Sequence, residues 1–227
     1  TGVLRPGGKA IAYLVRERGA DRAEVAKLRD GLYSDPGAEY EEIIDIDAAS
    51  LQPMIALPGD PGNGLFVDEL GKQVKVDICY AGSCTAGKKE DMDMYATVLK
   101  EAADAGERIH PDVKFFIQFG SQDVKRYAEA QGYVDIFRAV GAEIIEPSCG
   151  ACINAGPGVS SKKDTVTLGV INRNFPGRSE PGKLYLAIPH NTAATAPARY
   201  LHGRTSGGAA GAKPATLGRP AHACNTP

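Results

Sequence analysis

Three cysteines in two short loops are the residues of this sequence best suited to chemistry. Cys149 and Cys152 form a Cys-x-x-Cys pair, and Cys84 stands well upstream within Gly-Ser-Cys-Thr. Each stretch follows an apolar run short enough to be a strand, so both are predicted to be loops at strand ends. A loop of small residues that carries thiols is suited to holding a metal. We therefore expect the three thiols to meet at one metal centre.

The Cys-x-x-Cys pair alone is typical of half a structural zinc site, a redox pair, or part of an iron–sulfur site. Structural zinc usually draws four ligands from two close pairs. The only other thiol near Cys84 is Cys79, which is predicted to lie in the core. Three thiolates leave one iron of a four-iron cluster open to water or substrate, as a Lewis acid. A zinc-bound structural domain is the alternative, and Cys224 is interpreted as an incidental thiol.

A second polar segment, 172–178, carries two arginines around a Pro-Gly turn. Asn172 and Arg173 directly follow a predicted strand, and Arg178 comes after the turn. A guanidinium group binds a carboxylate through two parallel hydrogen bonds. Beside a Lewis-acidic metal, this loop predicts the binding of a small polycarboxylate substrate. A surface turn with solvated arginines is the alternative.

Composition excludes several classes of function. The chain has 227 residues and is 43% hydrophobic, which is enough for one large domain with appendages. Its formal net charge is −2. The near-neutral charge argues against a nucleic-acid partner. No apolar run approaches the roughly 20 residues that span a membrane. Five cysteines in a chain of this size argue against a disulfide scaffold and for reduced thiols in the cytoplasm.

Predicted strands and helices alternate along most of the chain. Strands are predicted at 40–47, 74–80, 113–119, 143–147, 165–171 and 184–188. Helices are predicted at 10–18, 21–32, 88–105, 122–131, 134–140 and 192–201. Ser121 is the predicted N-cap of one helix and Gly141 the C-cap of another. The strand at 113–119 is nearly continuously apolar from Phe115 onward and is broken by Gln118.

This alternation predicts an α/β fold in which a mostly parallel sheet is covered by helices on both faces. In such sheets ligands bind outside the carboxyl ends of the strands. Cys84, Cys149 and Asn172 each follow a predicted strand, so we expect them at one edge of the sheet. Residues 38–203 are predicted to form this domain. Segment 204–227, rich in Gly, Ala and Pro, is predicted to be a flexible linker or tail.

Taken together, the motifs resemble those of the aconitase and isopropylmalate dehydratase superfamily, specifically its third α/β domain. Residues 82–85 are similar to the segment that carries the family's first metal ligand, and the acidic pair 90–91 follows as it does in the family. Residues 149–153 are similar to the segment of the second and third ligands, and 172–178 to the arginine loop. Order and spacing agree as well, and the similarity covers roughly residues 38–203.

The resemblance implies a [4Fe–4S] cluster with a labile fourth iron on Cys84, Cys149 and Cys152. It also implies that Asn172 lies beside the cluster and that substrate carboxylates bind to Arg173 and Arg178. The implied activity is that of a hydro-lyase, which removes water from a hydroxy tricarboxylate such as citrate or isocitrate and returns it at the neighbouring carbon. Two positions depart from the family pattern, namely Ala86 and Asn154.

In the family, the catalytic base and further acidic groups lie in other domains. We therefore expect the base outside this chain, with the missing domains supplied in cis or in trans. Residues 1–37 are interpreted as the end of a preceding domain or as a linker. Two alternatives are the large subunit of an isopropylmalate or homoaconitate isomerase, and a non-catalytic cluster- or metal-binding module. The linker-like segment 204–227 favours a single-chain aconitase over the large subunit.

Overall fold

A computed structural model of the chain describes residues 6–71 and 73–201. It divides into two compact units between Ser50 and Leu51. The predicted tail at 204–227, including Cys224, lies outside the described residues.

In its described residues, the first unit has two α-helices, α1 (Gly8–Arg18) and α2 (Arg22–Asp30). The Asp21 carboxylate caps α2 by accepting hydrogen bonds from the backbone N–H groups of Ala23 and Glu24, both at 2.9 Å. Gly19 ends α1 in the left-handed conformation. The two helices predicted for this part of the sequence are therefore confirmed.

The strand predicted at 40–47 is wrong, because none of these residues is part of a strand. Ile43, Ile44 and Ile46 are instead exposed, each by at least 70%. Half of the segment is acidic, and Asp and Glu are unfavourable in strands. A strand also needs a neighbour for its N–H and C=O groups, and no strand occurs among the described residues of the first unit.

The second unit is built on a sheet of seven strands in the order β2-β1-β7-β6-β3-β4-β5. The strands are β1 (Met54–Ala56), β2 (Gly64–Phe66), β3 (Ile78–Gly82), β4 (Lys114–Gln118), β5 (Glu143–Ile145), β6 (Val166–Gly169) and β7 (Lys183–Leu186). All pairs from β7 to β5 are parallel, and only the pairs made by β1 are antiparallel. The prediction of an α/β fold with a mostly parallel sheet is confirmed. The β1–β2 hairpin was missed, because strands of three residues carry almost no periodicity.

Five α-helices lie among the described residues of this unit. They are α3 (Ser83–Ala86), α4 (Lys89–Asp104), α5 (Gln122–Ala130), α6 (Tyr133–Val140) and α7 (Pro189–Ala198). Ser121 is confirmed as the N-cap of α5, where its hydroxyl accepts from the Val124 N–H at 3.3 Å. Gly141 is confirmed as the left-handed C-cap of α6. No helix in the described part of the chain is long and apolar enough to cross a membrane.

The two faces of the sheet are covered differently. Alternate residues of β3 point to opposite faces, and Cys79 and Ala81 belong to the large core that the buried sides of α4, α5, α6 and α7 complete. Ile78 and Tyr80 belong to a smaller core on the other face. There the cover comes from loop residues, including Ala151 of the Cys-x-x-Cys segment.

The course of the chain explains this asymmetry. From β3 the chain moves through β4 to β5, and then returns past β3 to β6 and β7. Parallel crossovers are right-handed, so connections that run in opposite directions across a sheet lie on opposite faces. The connections after β5 and β6 must therefore cover the face opposite the helices. These connections hold the Cys-x-x-Cys pair and the arginine loop.

Candidate metal and substrate site

Cys84 lies in α3, immediately after β3, and its side chain is exposed. Gly82 turns the chain there with a φ of 99°, and a Cβ at this position would lie 1.8 Å from the Gln118 carbonyl oxygen. The Tyr95 hydroxyl of α4 accepts from the Gly82 N–H at 3.2 Å and donates to the Ala86 carbonyl at 3.1 Å. Burial raises the pKa of Tyr95 well above its usual value, so this hydroxyl keeps its proton. The two hydrogen bonds of Tyr95 thus fix the turn that carries Cys84 to helix α4.

The start of α4 is tied to the same turn. The Lys88 ammonium group donates to the Cys84 carbonyl at 2.8 Å. The Asp91 carboxylate accepts from the Lys88 N–H at 2.9 Å, so it caps the helix. Burial raises the pKa of Asp91. The acidic residue of the predicted motif therefore contributes to the local structure of the Cys84 turn.

The Cys-x-x-Cys loop is attached to the sheet through Gln118. The Gln118 amide nitrogen lies 3.2 Å from the Glu146 carbonyl oxygen, 3.0 Å from the Ser148 carbonyl oxygen and 3.1 Å from the Ser148 hydroxyl. Its amide oxygen accepts from the Tyr80 hydroxyl at 2.7 Å. Neither Gln118 nor Tyr80 is among the site residues predicted from the sequence. The available signal was Gln118 itself, a polar residue that directly follows the apolar run 115–117 of the predicted strand.

Tyr80 also lies close to the cysteine loop itself. A Cβ at Gly150 would lie 2.5 Å from the Tyr80 hydroxyl oxygen. Burial raises the pKa of Tyr80 to about 12; the Ala151 backbone N–H lowers this pKa and negative charge on Cys152 raises it. The phenol is therefore a protonated donor next to the loop at neutral pH.

The arginine loop reaches the cysteine loop through Arg178. This half-buried guanidinium donates to the Cys152 carbonyl at 2.5 Å. The guanidinium carbons of Arg178 and Arg173 lie 5.5 Å and 5.9 Å from the centre of the Phe175 ring, which is close enough for cation–π attraction. Asn172 and Arg173 are exposed. The structure thus brings the predicted carboxylate-binding loop to the second cysteine of the pair.

Two further asparagines stabilise this arrangement. Asn174 is buried, and its amide nitrogen donates to the Leu57 carbonyl at 2.7 Å and the Leu184 carbonyl at 3.2 Å. The side-chain oxygen of Asn154 accepts from the Glu180 N–H at 2.9 Å. Asn154 therefore joins the two loops, although it departs from the family pattern.

The first turn of α7 lies at the same edge of the sheet. The far end of α7 reaches the opposite edge, where the Arg199 carbonyl accepts from the Val76 N–H at 2.9 Å. The first turn therefore lies near the carboxyl end of β3. There, Asn191 and Thr192 are fully buried, and the polar atoms of their side chains have no hydrogen-bond partner among the described residues. Buried polar groups are usually paired, so these atoms fit beside a group that the described residues do not supply.

The chemistry of the donor set fits an iron–sulfur cluster. Cys84, Cys149 and Cys152 are free thiols, and only Cys152 is partly covered. Within the described ranges, no three His, Cys, Asp or Glu residues form a group that could hold one metal ion. A cluster binds its thiolates through separate iron atoms, so these thiolates lie farther apart than the ligands of one ion. Thiolates are the soft donors that such clusters select. The assignment of these ligands stays a prediction.

Comparisons with known proteins agree on one family. The model of the aconitase family (aconitate hydratase) matches residues 1–198. The 3-isopropylmalate dehydratase large subunit of Sulfurimonas denitrificans is 40% identical over 158 residues, which are 68% of this chain and 36% of the relative. The large subunit of the same name from Moorella thermoacetica is 36% identical over 197 residues, 85% of this chain and 45% of the relative. The chain thus spans less than half the length of these curated relatives.

We expect replacement of Tyr95 by Phe to loosen the turn that carries Cys84. Tyr95→Phe leaves the buried Gly82 N–H and the Ala86 carbonyl without their shared partner. The free energy of unfolding should fall by about 1–3 kcal/mol, as measured by urea denaturation at pH 7. Tyr13→Phe, at an exposed position in the first unit, is the control. An unchanged urea midpoint for Tyr95→Phe would contradict the proposed support of the turn.

In the metal-free chain, the rate of alkylation should distinguish the exposed thiols from the buried one. Cys79 is fully buried, and burial raises the pKa of its thiol, whereas Cys84 and Cys149 are exposed. Because the thiolate is the reactive form, iodoacetamide at pH 8 should modify Cys84 and Cys149 before Cys79. Peptide mass mapping over time measures the order. Early modification of Cys79 in the folded chain would show that β3 is not packed as described.

Proposed function

The chain belongs to the aconitase family, and from this membership we propose that it supplies the cluster-carrying and carboxylate-binding part of a hydro-lyase. The contact that supports the proposal most directly is the hydrogen bond from Arg178 to the Cys152 carbonyl, because it joins the arginine loop to the cysteine loop. We propose Cys84, Cys149 and Cys152 as ligands of a [4Fe–4S] cluster. Asn172, Arg173 and Arg178 are the proposed substrate-binding residues.

For the substrate, the comparisons favour the alternative to citrate and isocitrate. The relatives described above are named 3-isopropylmalate dehydratase large subunit, and we propose that this chain serves the same reaction. Citrate and isocitrate stay a prediction with less support. The names also describe a subunit, which supports a separate partner chain. We expect that partner to supply the catalytic base.

The chain's own residues have defined tasks in such a reaction. When bound, a cluster with an open iron supplies a Lewis acid for the hydroxyl of the substrate. Arg173 and Arg178 bind and orient the carboxylates through paired hydrogen bonds. The Cys152 carbonyl and the Phe175 ring hold Arg178 in place before the substrate arrives. A guanidinium beside a carboxylate stabilises the negative charge that develops when the neighbouring carbon loses its proton.

The extent of the cluster-binding part is also a proposal. We propose 38–203 as this domain, with 1–37 as the end of a preceding domain or a linker, and 204–227 as a linker or tail. A cytoplasmic location stays a prediction from the sparse, reduced thiols.

Anaerobic reconstitution with iron and sulfide tests the cofactor. The full chain should take up about four irons and gain a broad visible absorbance. Cys149→Ser should lose this iron. Its far-UV circular dichroism spectrum should not change, since Cys149 is exposed and its replacement by serine leaves no cavity. Cys79→Ala, which changes a buried thiol, is the control and should retain the iron. A colourless protein with one zinc would contradict the cluster and favour the structural zinc alternative.

Ligand titration of the reconstituted chain tests the substrate. The electron paramagnetic resonance spectrum of the reduced cluster should change with 3-isopropylmalate at lower concentration than with citrate. Arg173→Lys should raise the concentration needed by about tenfold, because an ammonium group lacks the two parallel donors of guanidinium. Arg126→Lys, on the exposed side of α5, is the control. Equal responses of wild type and Arg173→Lys would remove Arg173 from the substrate site.

A further inference from the structure

Tyr80 and Gln118 form a buried pair on the sheet face opposite the helices. They lie on the neighbouring parallel strands β3 and β4 and are at most 1% exposed. The Tyr80 hydroxyl donates to the Gln118 amide oxygen at 2.7 Å. This bond determines which way the amide group points, because it leaves the amide nitrogen facing away from Tyr80. The nitrogen is then directed at the cysteine loop.

Every oxygen that Gln118 contacts in the loop precedes the first cysteine. The carbonyls of Glu146 and Ser148 and the Ser148 hydroxyl lie 3.0–3.2 Å from the amide nitrogen. The peptide bond that follows the Ser148 carbonyl leads directly into Cys149. An amide nitrogen has two hydrogens, so these three oxygens share them. The contacts therefore fix the backbone just before Cys149.

On the other side of the same loop, the Tyr80 side chain lies so close to the backbone that it leaves no room for a Cβ atom. A Cβ at Gly150 would lie 2.5 Å from the Tyr80 hydroxyl oxygen, and a Cβ at Gly158 would lie 2.3 Å from the ring. Only glycine lets the backbone approach the ring so closely. The segment between these glycines, which includes Cys152, is thus held against the phenol at both ends.

We propose that Tyr80 and Gln118 are positioning residues that order the Cys149–Cys152 loop in the metal-free chain. A loop that is ordered before binding loses less conformational entropy when its thiols bind a metal group. The identity of that group rests on the proposed function, whereas the ordering of the loop does not. Outer groups that orient ligands typically change metal affinity by about 10–100-fold when they are replaced.

Amide hydrogen exchange of the metal-free chain tests the ordering without any cofactor. Gln118→Met keeps the approximate length of the side chain and removes the donor, and Tyr80→Phe keeps the ring and removes the hydroxyl. In both variants, amides at 146–155 should exchange about tenfold faster, while those of α4 (Lys89–Asp104) stay as in wild type. Tyr185→Phe, which changes a buried tyrosine on the helix-covered face, is the control and should leave 146–155 unchanged.

Iron retention tests the consequence for binding. After anaerobic reconstitution, Gln118→Met should release iron to a chelator about tenfold faster than wild type, with Tyr185→Phe again as control. If wild type binds no iron, the proposed function fails, and amide exchange alone decides the positioning role. Unchanged exchange at 146–155 in both variants would overturn the proposal. Equal acceleration in 146–155 and in α4 would also overturn it, because it would show general destabilisation.

Discussion

The handedness of parallel crossovers is the constraint on which the arrangement of this site depends. The chain leaves β3 in one direction and later returns past it to β6. Right-handed connections must then change face at this reversal. The cysteine loop and the arginine loop are therefore on the same face, although they follow different strands. The reversal also separates the carboxyl ends of β3 and β6, which is where open α/β sheets bind their ligands.

Within this frame, short polar contacts join the loops to the sheet and to each other. Gln118 holds the cysteine loop from the sheet, and Arg178 holds it from the arginine loop. Asn174 in turn fastens the arginine loop to the backbone beside β1 and β7. Each of these side chains is at least partly buried, so each hydrogen bond is costly to break. The loops are thereby part of the packed domain, in spite of their lack of regular secondary structure.

The comparisons establish the family of this chain, but they support a particular reaction less directly. The family model covers almost all of the described residues, whereas the curated relatives are more than twice as long as the matched segment. The exposed positions of Cys84 and Cys149 are compatible with a site that other parts of such a protein complete. In the first unit, Ile43, Ile44 and Ile46 are exposed, and exposed apolar clusters often mark contact surfaces.

By itself, the sequence determined the types and approximate bounds of most elements of the second unit, and it located thiols and arginines at strand ends. These features are local, because helical and strand periodicity and the caps at Ser121 and Gly141 depend on neighbouring residues. Only the tertiary structure decided the strand order, the face that the loops cover, and the roles of Tyr80 and Gln118. It also showed that residues 40–47 do not form a strand despite their isoleucines. These features depend on pairing between segments that are distant along the chain, and no local pattern records which segments will meet.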